Sequence, residues 1–204
     1  NKSVPSVLYK TNAPGLDMYI TEKGLSYLFI KTEEEHGKDK GEEACQIELC
    51  RVDMNLLNAS INKENIIAEF PEKHYSNFYT PLFPKGLMNV KSFSKITVKN
   101  IYPGIDWVLY SDKNGLKYDF VVHPGADPSQ IKINYEGARK YLVEPQYISL
   151  ETKLGKILEG KLFCFEKESN KTISTSFVRY GDEVRIQAGK YDKTKTLVID
   201  PPLV

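Results

Sequence analysis

The side chains best able to do chemistry in this 204-residue chain are scattered carboxylates, three histidines, three cysteines and one dense run of rings. Asp106 follows a Pro-Gly pair, Asp119 interrupts a strand-like segment and Asp200 precedes two prolines. Brought together with carbonyl oxygens, these carboxylates would hold a hard cation such as calcium. Kept apart, each would take the amide protons of a neighbouring turn, which strand pairing does not reach. The second, structural role is the favoured reading. No D-x-D-x-D-G loop is present, and Asp112-Lys113-Asn114-Gly115 reads as a hairpin turn.

His36, His74 and His123 lie far apart, and none has a second His or Cys at zinc-ligand spacing. His36, beside Glu33, Glu34 and Glu35, suits a solvated charged loop better than a metal site. The G-x-S-x-G, H-E-x-x-H and phosphate-binding glycine patterns are missing. The two acids of a glycosidase meet only in space, so spacing leaves that chemistry as a residual alternative. The expectation is a protein that is not an enzyme and has no cofactor. Rings give a further alternative: His74-Tyr75-Ser76-Asn77-Phe78-Tyr79 concentrates Tyr75, Phe78 and Tyr79 beside a proline-rich stretch. Exposed, they would form a platform on which sugars stack; buried, each would hide roughly 150 to 250 Å² in a seam between sheets. Burial is the preferred reading, with glycan binding as the alternative function.

Short strands must position these groups. Apolar and polar residues alternate at period two along most of the chain, broken by Gly, Pro, Asn and Asp. Leu16, Met18 and Ile20, a turn at Glu22-Lys23-Gly24, then Leu25, Tyr27 and Phe29 predict a hairpin. Residues 31–43 are too polar to bury and are expected to form a mobile loop, with strand resuming over Cys45 to Met54. Ile61 to Phe70 allows a thin helix stopped by Pro71, or a strand from Ile66. Ile96 to Val98, Ile105 to Tyr110 and Leu116 to Val122 follow as strands, with Trp107 sharing a core-facing side with Ile105 and Leu109. Asp127 and Pro128 suit the cap and first residue of one helical turn. Further strands are expected at 130–135, 147–150, 162–165, 175–179, 184–188 and 197–199. No long amphipathic helix intervenes, so the fold class is all-β, an antiparallel β-sandwich or two sandwich-like lobes, with a closed barrel as the other solution. One β-rich domain over 1–204 is expected, with 1–80 and 90–204 as candidate sub-lobes and the Pro-rich stretch 71–84 as their seam.

The 28 Lys and Arg against 27 Asp and Glu leave a net charge of +1, which provides no general attraction to nucleic acid or anionic lipid. No run of about 18 apolar residues is present to span a membrane. A chain of this size hides about 70% of its unfolded surface and needs no metal or disulfide for a core. Cys45 and Cys50 are five apart, so on one strand they face opposite ways and cannot join each other. Small buried hydrophobes are expected, with a bridge from one of them to Cys164 as the alternative.

Four segments, taken in order, carry a resemblance. They are Tyr102-Pro103-Gly104-Ile105-Asp106, Leu116 to Val122 with Asp119 inside it, His123 to Ile131 with Gly125, Asp127 and Pro128, and Tyr191-Asp192 followed by Leu197 to Pro201 with Asp200. Together they resemble the uncharacterised N-terminal domain found ahead of SBBP (seven-bladed β-propeller-type) repeats in large secreted or surface proteins, many from Bacteroidetes. The likeness is strongest over 93–204; before that Val7 to Lys10, Pro14-Gly15 and Ser76 to Tyr79 resemble the family's opening half. The resemblance implies a secreted or cell-surface location and, as partners, downstream repeat or immunoglobulin-like modules of the same chain. It implies no catalytic residue. It also departs from the family in its charged stretch at 31–43 and in ending at Val204, where the repeats would begin. The start at Asn1 without a Met permits export but does not show it. The function expected is a non-catalytic structural or interaction module.

Overall fold

A computed structural model describes residues 6–35, 44–80, 83–112 and 115–201. In chain order the strands are β1 (Val7–Ala13), β2 (Leu16–Thr21), β3 (Gly24–Glu35), β4 (Ala44–Leu56), β5 (Ile66–Thr80), β6 (Phe83–Tyr102), β7 (Ile105–Asp112), β8 (Gly115–Val122) and β9 (Lys132–Glu136). They continue as β10 (Lys140–Glu144), β11 (Tyr147–Glu151), β12 (Lys156–Gly160), β13 (Phe163–Glu166), β14 (Thr175–Tyr180), β15 (Glu183–Ala188) and β16 (Leu197–Asp200). Single 3-10 turns at Lys63–Asn65 and Pro128–Gln130 are the helical elements among the described residues.

The strands form three antiparallel sheets, ordered β1-β2-β3-β4-β9-β15-β14, β13-β16-β8-β7-β6-β5 and β10-β11-β12. The fold is all-β and sandwich-like, and none of the sheets closes into a barrel. Period-two alternation explains the core. Leu25, Tyr27 and Phe29 of β3, Met54 of β4 and Ile133 of β9 turn inward from the first sheet. Ile105, Trp107 and Leu109 of β7 and Tyr118 and Phe120 of β8 turn inward from the second. Trp107 is fully buried and meets Tyr118 edge-on at 6.0 Å between ring centroids, the geometry preferred by ring quadrupoles. The three-stranded sheet adds Ile148, Leu150 and Ile157 to the same core.

Several expectations need correction. Residues 31–35 are strand, because β3 and β4 pair as far as Glu35 with Ala44; a hairpin arm satisfies its own backbone and needs no burial. His36 and 36–43 lie outside the described residues. Over 61–70 no helix forms beyond the turn at Lys63–Asn65, where Asn62 and Asn65 cap one another, and strand begins at Ile66. The 71–84 stretch is not a seam between lobes. Its described residues, 71–80 and 83–84, lie in β5 and β6, which pair as a long antiparallel ladder that is irregular between Pro71 and Tyr75, since proline has no amide to donate. Residues 1–80 and 90–204 do not separate either, because β5 pairs with β6 and β4 pairs with β9 across that division. Cys50 and Cys164 are free thiols; Cys164 is buried, and burial pushes its thiol up to about 12. The side chain of Cys45 lies outside the described residues.

Candidate functional site

Pro103, Gly104 and Asp106 serve the turn between β6 and β7. Tyr102 pairs with Ile105 across Pro103-Gly104, and Gly104 has φ +72°, a conformation that suits glycine. Asp106, buried on β7, accepts the Asn100 amide at 2.9 Å, the Lys99 ammonium at 2.8 Å and a bond from His123 Nε2 at 2.8 Å. Burial works against its charge, but Lys99, the Asn100 amide and His123 outweigh it and hold the carboxyl below the ordinary carboxylate range. Asp106→Asn is therefore expected to lower stability by about 1 kcal/mol at neutral pH, because Lys99 and His123 are half-exposed and screened. A depressed folded-state value means this contribution is present above the ordinary carboxylate range and disappears as pH falls through the folded value. Urea unfolding of both proteins along a pH series checks it.

The three carboxylates singled out for calcium do not meet. Asp119 accepts Tyr110 Oη at 3.0 and 3.1 Å, and burial followed by the nearby charge of Asp200 pushes it up to about 6. It therefore holds a tyrosine hydroxyl rather than a turn amide. Asp200 is also raised by burial, and its Oδ1 is buried without a partner. Among the described residues no three His, Cys, Asp or Glu side chains gather in a way that could hold a metal. Asp192 accepts the amide of Thr194 at 3.0 Å and its hydroxyl at 2.7 Å, closing its own loop.

The ring cluster lies on the long hairpin. Tyr75 is 63% exposed, and neighbouring His74 is exposed too, so Tyr75 does not plug a seam. Phe78 and Tyr79 are on β5, with side chains outside the described residues.

Two features escaped the sequence reading. Glu159 of β12 is wholly buried where the three sheets meet; its Oε2 accepts Tyr135 Oη at 2.7 Å and Tyr118 Oη at 3.0 Å. Its Oε1 has no partner, nor do the buried hydroxyls of Tyr27 and Tyr141. Burial pushes the carboxyl up to about 7, although both tyrosines favour its charged form. A signal existed, since Glu159 shares a strand face with Ile157, and that face is the inner one.

The second is a groove of about 730 Å³, within the range of small-molecule sites. Its floor is the outer face of the β14–β15 hairpin, with Val178, Tyr180, Arg185 and Gln187; Val178 and Arg185 are direct cross-strand partners. Arg185 lies over the Tyr180 ring at 4.8 Å and pairs with Glu183. One wall is the capped turn, where Asp127 accepts the amide of Ser129 at 3.0 Å and its hydroxyl at 2.7 Å, with Pro128 opening the turn. The other is the segment with Lys190, Tyr191 and Lys193. The Gly125 amide donates to the Lys193 carbonyl at 2.9 Å and ties the walls together; Gly125 has φ +81° and open space around it. No spacing rule would reveal this site, because its parts lie some 60 residues apart and meet only through β15 packing on the turn.

No curated protein and no solved structure matches the chain. A family model described as "Domain of unknown function (DUF7948)" matches residues 1–202, and the chain therefore belongs to that family.

Proposed function

We propose that the chain is a non-catalytic interaction module of a larger secreted or cell-surface protein, one that presents SBBP-type repeats or immunoglobulin-like modules following it in the same polypeptide. One observation carries the interaction reading. The β5–β6 hairpin extends past the part of β6 that pairs with β7, and β5 is the edge of its sheet. Along it Ile67, Phe70, Tyr75, Met88 and Val90 are exposed, Phe70 to 66%. Free edges are normally short, charged or covered, because their unpaired amides and carbonyls recruit other strands. A long edge carrying several large apolar side chains suits a partner that adds to the sheet or packs on the hairpin. The resemblance over 93–204 supports the location and the neighbouring modules.

Amide hydrogen exchange in the full-length protein and in the isolated chain tests this reading. Amides of 66–77 are expected to exchange at least about tenfold more slowly in the full-length protein, since pairing or packing must open before they exchange. Equal rates in the two would sink it. Glycan binding through the hairpin is a second reading, favoured by the exposure of Tyr75. Polysaccharide binding lost on Tyr75→Ala would support it.

A further inference from the structure

The groove between the Pro128–Gln130 turn and the β14–β15 hairpin combines three kinds of surface. The first is ring area: Tyr180 is 57% exposed, and Tyr191 is half-buried against the core, which fixes its orientation. The second is planar polar groups: the Arg185 guanidinium stacked on Tyr180, and the exposed Gln187 amide two residues along the same strand face. The third is positive charge. Lys190 and Lys193 are exposed on the wall, and among the described residues Lys190 has no ion pair. Among the described residues Asp127 is the one acid lining the groove; Ser129 holds its oxygens and Lys193 faces its charge, while Glu183, outside the lining, pairs with Arg185.

From this combination we infer a binding site for an acidic saccharide, a sugar chain bearing carboxylate or sulfate groups, at a place separate from the hairpin edge. The apolar face of a sugar ring packs on an aromatic face, and its hydroxyls bond to amide and guanidinium groups. The lysines, Lys190 first since it has no ion pair among the described residues, take the acidic substituent, because charge-assisted bonds are about twice as strong as neutral ones. The site is preformed: the tie from Gly125 to Lys193 and the Gly189 amide's 2.7 Å bond to the Ser174 carbonyl hold the lysine-bearing segment in place. A ligand therefore binds with little ordering cost. A peptide of acidic residues alone, such as polyglutamate, would satisfy the lysines but has no ring face to lay on Tyr180, so the saccharide is the better fit.

Electrophoresis of the folded chain through native gels containing polygalacturonate, dextran sulfate, dextran or polyglutamate tests the assignment. Retardation by polygalacturonate or dextran sulfate is expected, and whichever acts identifies the acidic group; dextran should have no effect. Tyr180→Ala and the double variant Lys190→Ala/Lys193→Ala should each weaken binding at least about tenfold, as loss of a stacking or charged contact of 1.4 kcal/mol or more requires. Lys73→Ala/Lys91→Ala, the same charge change on the hairpin, should leave it intact. Unchanged unfolding temperatures would establish that the variants are folded. The inference fails if neither acidic polymer retards the chain, if polyglutamate does so equally, if Tyr180→Ala has no effect, or if the hairpin lysines matter as much as the groove lysines.

Discussion

Glu159→Gln is expected to stabilise the protein at pH 8 and to leave it nearly unchanged at pH 4. The unfolded chain releases this proton near the ordinary value of 4.5, whereas the folded protein keeps it up to about 7. Between those values the folded state binds the extra proton, so stability falls as pH rises and remains at the lower level above about 7. Glutamine keeps an oxygen for the Tyr118 and Tyr135 hydroxyls and removes the charge. The gain above pH 7 should be about 3 kcal/mol, from the free energy of each pKa unit. In a domain of this size that corresponds to a rise in Tm of roughly 10 °C. Thermal unfolding of both proteins from pH 4 to pH 9 decides the matter, and a pH-independent difference would refute the account. Glu159→Leu tests it from the other side. It removes the charge but leaves the Tyr135 hydroxyl without its acceptor and Tyr118 with only the weak thioether acceptor of Met54 at 3.5 Å, so it should gain less than glutamine.

Gly24→Ala should be among the most damaging single substitutions. Gly24 opens β3 at φ +140°, and a Cβ there would lie 2.1 Å from the Met54 carbonyl oxygen of β4. Backbone on a central strand cannot swing aside as a flexible side chain does. Overpacking and backbone strain each cost about 1 to 3 kcal/mol, so a combined loss above about 3 kcal/mol is expected. Gly181→Ala provides the comparison, with φ +62° but nothing within 4 Å of the added carbon, and should cost about 1 kcal/mol. Urea titration of the two variants compares them directly. If Gly24→Ala proves no worse than Gly181→Ala, the packing of β3 against β4 is looser than described.

The contrast between these glycines shows what was legible in the chain. Alternation reveals strands because a half-buried strand must repeat at two residues; it therefore located β2, β3 and β7 and the inward side of Trp107. Capping chemistry, Asp127 before Pro128, marked the helical turn as well, since capping uses only neighbouring residues. Alternation failed where pairing replaces burial as the stabilising force, as in residues 31–35 and in β5 beyond Pro71, which are polar or irregular yet extended. Nor does any local pattern encode that the Arg51 carbonyl would sit 2.2 Å from a Cβ at Gly137, or that Tyr118 and Tyr135 would converge on Glu159. The groove was hidden for the same reason: Ser129 and Lys190 become neighbours only once β15 has docked. Tyr75 was misjudged because a ring-rich segment is more often core than surface.

The long hairpin also has a mechanical consequence. Its outer part is held to the body through β6, whose inner residues Lys95 to Val98 pair with Tyr110 to Trp107 of β7. A tension applied at the tip along β6 would load these ladder bonds together in shear, whereas a sideways pull would peel them one after another. Detaching the hairpin should therefore take more force along its length than across it, which makes it a handle whose resistance depends on the direction from which it is drawn.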